Sequence, residues 1–426
     1  MARDRVVVIG AGFGGLSCVR RLRGEPVEVL LLDRHNYHLF TPLLYQVASA
    51  LLNPSEVAIP VRSILDSRND VRFRMTEVTG VDLESGRVLT EDGPIPYDWL
   101  VVAAGSRTAY YGKHGVRAGS YGVKVLPDAL ALRNRILGRL EEASTEEDPA
   151  ARRRALTFVV VGGGPTGVEY AGALVELFRL VVGNDFPDLD PAEPRVILIE
   201  MSDGLLSEFP EKLGRYARAR LEDLGVDVRT GAAVDEYRDG RVLLGGRDPI
   251  EADTLIWAAG VRPTGLAQAA AFPRAESGRI EVDEHLRVRG CERVFAVGDI
   301  AQLEEAGRPL PMMAPPAMQA GKQAAGNILR AIRGQPMEPF RYRDKGIMAV
   351  IGRNAGVARI GKLELKGFIG WIGWLFVHLY YLIGFRNRLT VLIRWAWYYL
   401  LYDRPIRIIA RARSRADATP LPPDDE

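Results

Sequence analysis

The stretch VVVIGAGFGG, residues 6–15, decides the fold of this chain, and VVVGGGPTG, residues 159–167, repeats its pattern. In both stretches an apolar run of β-branched residues ends at closely spaced glycines, which is typical of a strand that turns sharply into a helix. The backbone N–H groups of such a turn, together with the N-terminus of the helix, bind a pyrophosphate. Two copies therefore predict two dinucleotide-binding sites in one chain.

An acidic residue follows each glycine-rich stretch at the end of the next apolar run. Asp33 lies 18 residues beyond Gly15, close to the spacing at which a carboxylate accepts hydrogen bonds from an adenosine ribose. Glu200 lies 33 residues beyond Gly167, and we attribute the excess to a loop over residues 183–194, which are rich in Gly, Asn, Asp and Pro. A carboxylate at Glu200 would repel the 2′-phosphate of NADPH, so the sequence favours NADH.

Each half also contains a third apolar run, which ends in small residues. These runs are WLVVAAG, residues 99–105, and LIWAAG, residues 255–260. Small residues at the end of a strand let the backbone approach a cofactor closely. Taken alone, each run is an ordinary buried strand and turn, but their recurrence at matching positions of the two halves favours cofactor contact.

The composition excludes several other classes of protein. The chain has 426 residues and 47% hydrophobic content, enough for two or three globular domains, and its net charge of +2 is too small for general nucleic-acid binding. Its only cysteines, Cys18 and Cys291, form no C-x-x-C pair and no cluster with metal-ligand spacing, so we predict neither a disulfide framework nor a metal site. The first strand begins too close to Met1 for a secretory signal, which predicts a cytoplasmic start.

Three further segments make the resemblance to a known family specific. They are NYHLFTPLLYQVA at residues 36–48, DKGIMAVIGR at 344–353 and GFIGWIGWLFVHLYYLIGFRNR at 367–388. From about residue 5 to residue 402 the chain resembles the pyridine-nucleotide flavoprotein reductases and, among these, the type II NADH:quinone dehydrogenases. Residues 36–48 lack the redox cysteine pair that the disulfide-reductase branch holds in this region, so electrons must leave the flavin by another route.

The resemblance implies FAD as the first dinucleotide and NADH as the second, with hydride passing from nicotinamide to flavin. FAD would be held by Gly10, Gly12, Gly15, Asp33, the neighbourhood of Gln46, and Asp299. The other implied cofactor-binding residues are Phe13, Gly14, Arg34, Val78, Ala104, Gly105, Ala317, Gly162, Gly164, Gly167, Glu200 and Gly260.

Two catalytic residues are also implied by the resemblance. Glu169 matches the family's glutamate beside the contact between nicotinamide and flavin, and the alternative is a first-turn acid stabilised by the helix dipole. The family motif Ala-Gln-x-Ala-x-Gln corresponds to residues 314–319, where Gln319 is kept and Pro315 replaces the first glutamine. Because proline has neither an amide side chain nor an N–H to bond a quinone carbonyl, the first position cannot make this hydrogen bond, and Gln319 is left to position the acceptor. The alternative places Gln319 on the polar face of a packing helix.

The expected fold class is α/β, with two Rossmann-like dinucleotide-binding domains, the second inserted in the first, plus a C-terminal membrane-associated α-helical region. The insertion is suggested by VFAVGD, residues 294–299, which resembles the segment that returns to the flavin domain in two-dinucleotide flavoproteins. The expected parts are an FAD-binding domain at 1–140 and 270–333, a charged crossing at 141–154, an NADH-binding domain at 150–269, a membrane-anchoring and dimerisation region at 334–410, and a disordered tail at 416–426.

The C-terminal region raises the question of a membrane. Residues 367–385 carry no formal charge, and their number, 19, is near the roughly 20 needed to span a bilayer. Four glycines in this stretch, and aromatic residues interleaved with Arg394 in the next helix at 389–402, favour helices lying in the membrane interface. Residues 386–415 contain eight Arg and only one Asp, and this positive charge favours the anionic cytoplasmic leaflet.

We therefore expect a peripheral, monotopic protein on the cytoplasmic face of the cell membrane, with the lipid surface and a membrane quinone as partners. Burial of the apolar stretch in a homodimer interface is the alternative, and both uses can hold together.

The sequence thus predicts an enzyme that oxidises NADH and reduces a membrane quinone by two electrons through FAD. It would not pump protons, since no multi-span channel is available. One alternative is a reductase that donates to a ferredoxin-like protein, which would leave the aromatic C-terminal helices without a purpose. A sulfide:quinone reductase would need a paired sulfur-relay site, and an NADH sensor would bind nucleotide without turnover.

Overall fold

Two parallel sheets of five strands each form the frame of the protein. The structure, a computed structural model, describes residues 3–65, 71–305, 307–401 and 406–409. The first sheet has the strand order Val294–Ala296, Trp99–Val102, Arg5–Ile9, Glu28–Asp33 and Val71–Met75, and the second has the order Tyr121–Gly122, Thr254–Trp257, Thr157–Val161, Arg195–Ile199 and Asp227–Arg229. The predicted α/β fold with two parallel sheets is confirmed.

The strand before each glycine-rich turn lies in the centre of its sheet, with parallel neighbours on both sides. Val6, Val7 and Val8 of the first sheet are fully buried, as are Val159 and Val160 of the second. A parallel strand covered on both faces needs apolar residues at every position, which explains why these runs do not alternate with polar residues. Full burial of each such side chain contributes roughly 1.5–3 kcal/mol.

Helices begin directly after both glycine-rich turns. We call Phe13–Leu22 the first glycine-rich helix and Pro165–Asp185 the second glycine-rich helix; their N-caps are Gly12 and Gly164. Pro165 suits the first helical position, where a backbone N–H has no partner within the helix. The other helices before the C-terminal region are Leu44–Ala48, Pro54–Val57, Val61–Leu65, His114–Gly119, Leu126–Thr145, Pro149–Ala155, Glu211–Asp223, Leu266–Ala269 and Ala314–Ile332, with short 3-10 turns at Thr41–Leu43 and Gly298–Ile300.

Smaller sheets flank the two parallel ones. They are formed by Tyr37–Leu39 with Ala58–Pro60; by Val78–Asp82, Arg87–Thr90 and Ile95–Pro96; by Val234–Arg238, Arg241–Leu244 and Arg247–Glu251; by Ile280–Glu281 with Ala301–Gln302; by Glu304–Glu305 with Arg308–Pro309; and by Ile347–Gly352, Ala355–Ile360 and Leu363–Lys366. The last of these, which we call the C-terminal sheet, packs against the second glycine-rich helix: a Cβ at Gly172 would lie 1.8 Å from the carbonyl oxygen of Ile351.

The chain passes between the two parallel sheets along a pair of antiparallel strands. Ser106–Thr108 leaves the first sheet and pairs with Val261–Pro263, which leaves the second. Val294–Ala296 then pairs with Trp99–Val102, so the chain returns to the first sheet after completing the second. This strand order is the one that an inserted second unit produces.

Two details differ from the sequence-based expectation. Tyr121–Gly122 already pairs with the second sheet, so the chain crosses before residue 121 and not at 141–154. The expected loop at 183–194 begins later than predicted, because the second glycine-rich helix continues through Gly183 to Asp185. Gly183 lies in the last turn of a long helix, where packing of the apolar residues that precede it outweighs its low helix propensity.

Two helices end the described chain, and we call Gly367–Tyr381 the aromatic helix and Phe385–Leu401 the terminal helix. Among the described residues, no helix is both long enough and apolar enough to span a membrane. The side chains that these helices expose form what we call the apolar face: Phe368, Ile369, Ile372, Phe376, Tyr380, Phe385, Leu389, Leu392, Ile393, Trp397, Leu400 and Leu401. The tail predicted at 416–426 lies outside the described residues.

Candidate functional site

A cavity of about 1470 Å³ is lined by residues that follow the strands of both parallel sheets. Its wall includes the two glycine-rich turns and the small residues that follow Trp99–Val102 and Thr254–Trp257. Ligands of open α/β sheets bind at these carboxyl ends of the strands. A pocket for one small ligand is typically about 300–1,000 Å³, so this cavity is large enough for more than one.

The first glycine-rich turn uses its glycines in two different ways. Gly10 has a φ of +102°, and a Cβ there would lie 2.3 Å from the carbonyl oxygen of Ala103. A Cβ at Gly15 would lie 1.8 Å from the carbonyl oxygen of Gly10, so this glycine lets the helix approach the strand. Gly12 is the opposite case, because a Cβ would meet nothing within 4 Å and would point into open space. Packing of the fold therefore requires glycine at positions 10 and 15, whereas Gly12 leaves a space open.

The second glycine-rich turn repeats these relationships. Gly162 has a φ of +113°, and a Cβ there would lie 2.6 Å from the carbonyl oxygen of Ala258. A Cβ at Gly167 would lie 1.8 Å from the carbonyl oxygen of Gly162, while one at Gly164 would meet nothing within 4 Å. Both turns therefore leave an open space at the N-terminus of a helix, where backbone N–H groups and the helix dipole attract a pyrophosphate.

The two predicted acids are held in the same way, each by the glycine-rich turn of its own sheet. Asp33 accepts hydrogen bonds from the backbone N–H of Ala11 at 2.7 Å and of His35 at 2.8 Å. Glu200 accepts one from the backbone N–H of Gly163 at 2.5 Å and two from Ser202, through its N–H and its hydroxyl, at 2.7 Å each. Both carboxylates line the cavity with their orientation fixed.

Most of the residues predicted from the sequence lie on the cavity wall. These are Gly10, Gly12, Phe13, Gly14, Asp33, Arg34, Ala104, Gly105, Gly162, Gly164, Glu169, Glu200, Gly260, Asp299 and Ala317. Gly15 and Gly167 lie behind the wall, where they allow close packing of helix and strand. Their contribution to a site is therefore indirect.

Gln46 and Val78 are not placed on the cavity wall. The Gln46 side chain is buried and donates to the hydroxyl of Tyr45 at 3.0 Å, while its Oε1 accepts a hydrogen bond from the indole N–H of Trp395 at 2.8 Å. Gln46 thus attaches the terminal helix to the core, and its neighbour Tyr45 lines the cavity instead. Val78 pairs with Thr90 in a flanking sheet and packs against the core around the first sheet.

Gln319 is also turned away from the cavity. Its Nε2 donates to the carbonyl oxygen of Arg343 at 3.0 Å, and its Oε1 accepts from the N–H of Arg343 at 3.0 Å. Pro315 and Met318 line the cavity. These two are three residues apart and share one face of the helix, whereas Gln319 lies a further 100° or so around it. The placement matches the alternative of a polar residue on a packing helix.

Glu169 lies on the cavity wall in the first turns of the second glycine-rich helix, and it is buried. Its Oε1 accepts hydrogen bonds from the indole N–H of Trp374 at 3.0 Å and from the backbone N–H of Val350 at 3.2 Å. Burial raises the pKa of the Glu169 carboxyl to about 8, and these two hydrogen bonds offset only part of that effect. Glu169 is therefore mainly uncharged at neutral pH.

This raised pKa predicts a pH-dependent stability that Glu169→Gln removes. A group whose pKa is higher in the folded than in the unfolded state stabilises the fold fully below its unfolded value and loses this contribution as the pH rises through the folded value, here about 8. A tenfold difference in acid dissociation constant between the two states corresponds to about 1.4 kcal/mol. We expect the variant to gain in melting temperature relative to the wild type between about pH 5 and about pH 9. If the melting temperatures of the two proteins changed with pH in parallel over this range, the raised pKa of Glu169 would be contradicted.

The sequence analysis did not single out His378 as a site residue, although the structure places it on the cavity wall. It stacks on Trp374 with 4.0 Å between ring centroids, and its Nδ1 donates to the carbonyl oxygen of Trp374 at 2.8 Å. Burial lowers the pKa of His378 to about 4, which keeps the imidazole neutral and leaves Nε2 as a hydrogen-bond acceptor. The i, i+4 spacing of Trp374 and His378 was a signal that both share one helix face.

Asp299 lies on the wall in the turn that follows Val294–Ala296. Its Oδ2 accepts a hydrogen bond from the hydroxyl of Ser106 at 2.5 Å and lies 3.4 Å from Lys124 Nζ. Ala317 packs opposite Gly298 at the same place, since a Cβ at Gly298 would lie 3.4 Å from that of Ala317. Small residues thus keep the backbone accessible beside this carboxylate.

Comparison with known proteins agrees with this geometry. The sequence matches the pyridine nucleotide-disulphide oxidoreductase family over residues 4–321. It is 39% identical over 408 residues to the type II NADH:quinone oxidoreductase Ndh of Mycobacterium tuberculosis, covering 92% of this chain and 87% of that protein. It is 31% identical over 380 residues to the type II NADH:quinone oxidoreductase of Staphylococcus aureus, covering 86% of this chain and 92% of that protein.

A solved structure shares the fold. The structure of NDH2 from Plasmodium falciparum in complex with NADH superposes with a TM-score of 0.88 at 21% sequence identity, covering 95% of this chain and 100% of that one. The similarity therefore includes the C-terminal region as well as the two parallel sheets.

Proposed function

The chain belongs to the pyridine nucleotide-disulphide oxidoreductase family and, within it, to the type II NADH:quinone oxidoreductases, and we propose that FAD is the flavin through which it works. It oxidises NADH and reduces quinone. The observation that supports both half-reactions at one place is the continuous cavity beneath both glycine-rich turns. The proposal assigns FAD to the first turn and NADH to the second.

The first half of the cavity fits FAD. The space in front of Gly12 accepts a pyrophosphate, and Asp33 is held where a carboxylate can bond an adenosine ribose. Asp299 and Ala317 line the wall at the N-terminus of Ala314–Ile332, where the flavin end of the cofactor would be held. Bound there, FAD would take up the hydride of NADH and pass its electrons to quinone.

The residues of this chain bind, orient and shield the reactants. Glu169 is mainly uncharged at neutral pH, and from the second glycine-rich helix it accepts a hydrogen bond from Trp374 of the aromatic helix. From this position it orients the nicotinamide without adding a negative charge beside it. His378 and Tyr381 line the cavity at the aromatic helix, whose outer side belongs to the apolar face, so this end suits a lipid-soluble quinone. Pro315 occupies the position of the missing glutamine on the wall.

The second half of the cavity is expected to prefer NADH over NADPH. Glu200 is fixed by Gly163 and Ser202, and its charge would repel a 2′-phosphate while accepting a hydrogen bond from a free hydroxyl. We expect kcat/KM for NADH to exceed that for NADPH by at least about tenfold, or about 1.4 kcal/mol. Glu200→Gln should narrow this ratio, whereas Glu208→Gln, which removes an exposed acid from the same wall, should not. Comparable kcat/KM values for the two nucleotides in the wild type would refute the preference.

The enzyme is proposed to bind the membrane peripherally through the apolar face. Its aromatic and aliphatic side chains are exposed in the part of the chain that the structure describes, and burying one in lipid contributes roughly 1.5–3 kcal/mol. Part of the predicted basic cluster lies within the described residues. Of its described arginines, Arg388 donates to Leu382, Arg394 pairs with Glu56 and Arg407 pairs with Asp185, which leaves Arg386 for lipid phosphates. The cytoplasmic leaflet is still the proposed side.

Phe376→Asp combined with Leu400→Asp tests this binding. Both side chains are more than two-thirds exposed, at 71% and 72%, and neither lines the cavity. We expect at least about a tenfold loss of co-sedimentation with phosphatidylglycerol vesicles and unchanged NADH oxidation with a water-soluble quinone. Leu83→Asp, in a hairpin of the first half, is the matched control and should bind vesicles normally. Undiminished vesicle binding by the double variant would contradict the proposal.

Homodimerisation is proposed as a second use of the apolar face. In the absence of lipid and detergent, a second copy would cover the same side chains. Light scattering of the wild type and of the Phe376→Asp, Leu400→Asp variant measures this directly. A dimer that persists unchanged in the variant would place its interface elsewhere.

A further inference from the structure

Three distant segments of the chain meet at one point of the cavity wall. Ser106 begins the strand Ser106–Thr108, which leaves the first sheet. Lys124 lies between Tyr121–Gly122 and Leu126–Thr145, and Asp299 lies in the turn Gly298–Ile300. Ser106 and Lys124 are 193 and 175 residues away from Asp299 in sequence. All three residues line the cavity. Only the fold brings them together, and no sequence motif marks Lys124.

Both contacts fall on the same oxygen of the carboxylate. Ser106 donates to Oδ2 at 2.5 Å, and the ammonium group of Lys124 lies 3.4 Å from Oδ2. The side chains of Lys124 and Asp299 are 25% and 15% exposed, so water screens this pair less than it would a surface pair. Among the hydrogen bonds of the described residues, none involves Oδ1 of Asp299. The arrangement fixes the carboxylate plane and leaves Oδ1 for a donor in the cavity.

A carboxylate on this wall has an electrostatic cost that a neighbouring cation offsets. A dinucleotide brings two negative phosphates into the cavity, and an uncompensated Asp299 would repel them. Arg279 also lines the cavity and attracts Asp299 electrostatically from a distance, but its Nη1 donates to the carbonyl oxygen of Leu310 at 3.1 Å, and among the described residues it forms no ion pair with Asp299. Lys124 is therefore the cation in direct contact.

We infer that Lys124 is a positioning and charge-compensating residue for the flavin. Together with Ser106, it holds Asp299 so that Oδ1 accepts a hydrogen bond from a hydroxyl of the cofactor, and its positive charge favours the more negative, reduced state of the bound flavin. The inference rests on the proposed function, since it takes FAD as the ligand of this half of the cavity.

Lys124 also connects the two halves of the molecule. It follows Tyr121–Gly122, which pairs with the strand Thr254–Trp257 of the second sheet. Asp299 follows Val294–Ala296, which pairs with Trp99–Val102 of the first. The ion pair therefore ties the NADH-side sheet to the carboxylate on the FAD side.

The test compares four variants by two measurements. Flavin fluorescence gives the dissociation constant of FAD from the protein, and equilibrium with a redox dye gives the midpoint potential of the bound flavin. Lys124→Met removes the charge at similar length, and Lys124→Arg keeps it. Ser106→Ala removes the hydrogen bond alone. Lys212→Met is the control, because Lys212 is also a lysine paired with a carboxylate, that of Glu364 at 2.8 Å, but does not line the cavity.

We expect Lys124→Met to raise the FAD dissociation constant at least about tenfold and to lower the midpoint potential. Lys124→Arg should restore most of both values, Ser106→Ala should weaken FAD binding with little change in potential, and Lys212→Met should match the wild type. If Lys124→Met folds poorly, the milder Lys124→Gln gives the same comparison. Wild-type affinity and potential in the charge-removing variant would overturn the inference. A wild-type protein that takes up no FAD would overturn the proposed cofactor itself, and the inference with it.

Discussion

Gly12→Val is expected to abolish FAD binding while leaving the apo-protein folded. Gly12 has φ −74° and ψ −167°, an extended conformation that valine adopts readily, and a Cβ there meets no atom within 4 Å. The added methyl groups instead fill the space in front of the helix N-terminus, which the pyrophosphate needs. We expect the FAD dissociation constant to rise at least about 100-fold, or about 2.7 kcal/mol.

The measurement is a fluorescence titration of apo-protein with FAD, accompanied by circular dichroism to establish that the variant is folded. Gly138→Val is the control, because a Cβ at Gly138 in the helix Leu126–Thr145 also meets nothing within 4 Å and lies away from the cavity. Tight FAD binding by a folded Gly12→Val protein would remove the first glycine-rich turn from the cofactor site.

Gly164→Val should produce the complementary defect, in which FAD is retained but NADH no longer reduces it. Gly164 has φ −73° and ψ −179°, and a Cβ there is equally free of contacts within 4 Å. Since the variant leaves the first turn untouched, the purified protein should hold FAD with wild-type affinity. We expect the NADH dissociation constant to rise at least about 100-fold.

Rapid mixing of the flavin-loaded Gly164→Val protein with NADH tests this expectation. Dithionite should still reduce the flavin, which shows that the cofactor is competent. The two variants separate the two sites, because each is expected to lose the binding of one nucleotide and to keep the binding of the other. If Gly164→Val lost FAD, or Gly12→Val bound NADH no better than Gly164→Val, the assignment of one nucleotide to each turn would fail.

The parts of the site that the sequence predicted are local in the chain. Each glycine-rich turn, with its preceding strand and following helix, lies within a short segment, and the structure gives the first glycines of the two turns, Gly10 and Gly162, φ angles above +100°. Asp33 and Glu200 were predictable for a similar reason, because parallel strands end at the same edge of a sheet. The structure brings each to the turn of its own sheet.

The parts that the sequence missed depend on distant partners. The side chain of Gln46 is hydrogen-bonded to Trp395, which lies 349 residues away, and the side chain of Gln319 is hydrogen-bonded to the backbone of Arg343. A motif records the residue type at a position but not what competes for its side chain. Glu169 was predicted by resemblance, but its raised pKa depends on burial beneath Trp374, which lies 205 residues away. Lys124 carries no local signal at all.

One anaerobic experiment tests the central claim most directly: flavin-loaded wild-type protein is mixed first with NADH and then with a short-chain quinone, while the flavin absorption is followed. The account predicts that NADH bleaches the flavin and that quinone restores it, within one protein and without another carrier. Bleaching by NADH with no recovery on addition of quinone would contradict quinone reduction at this cavity, and no bleaching at all would contradict the two-nucleotide site.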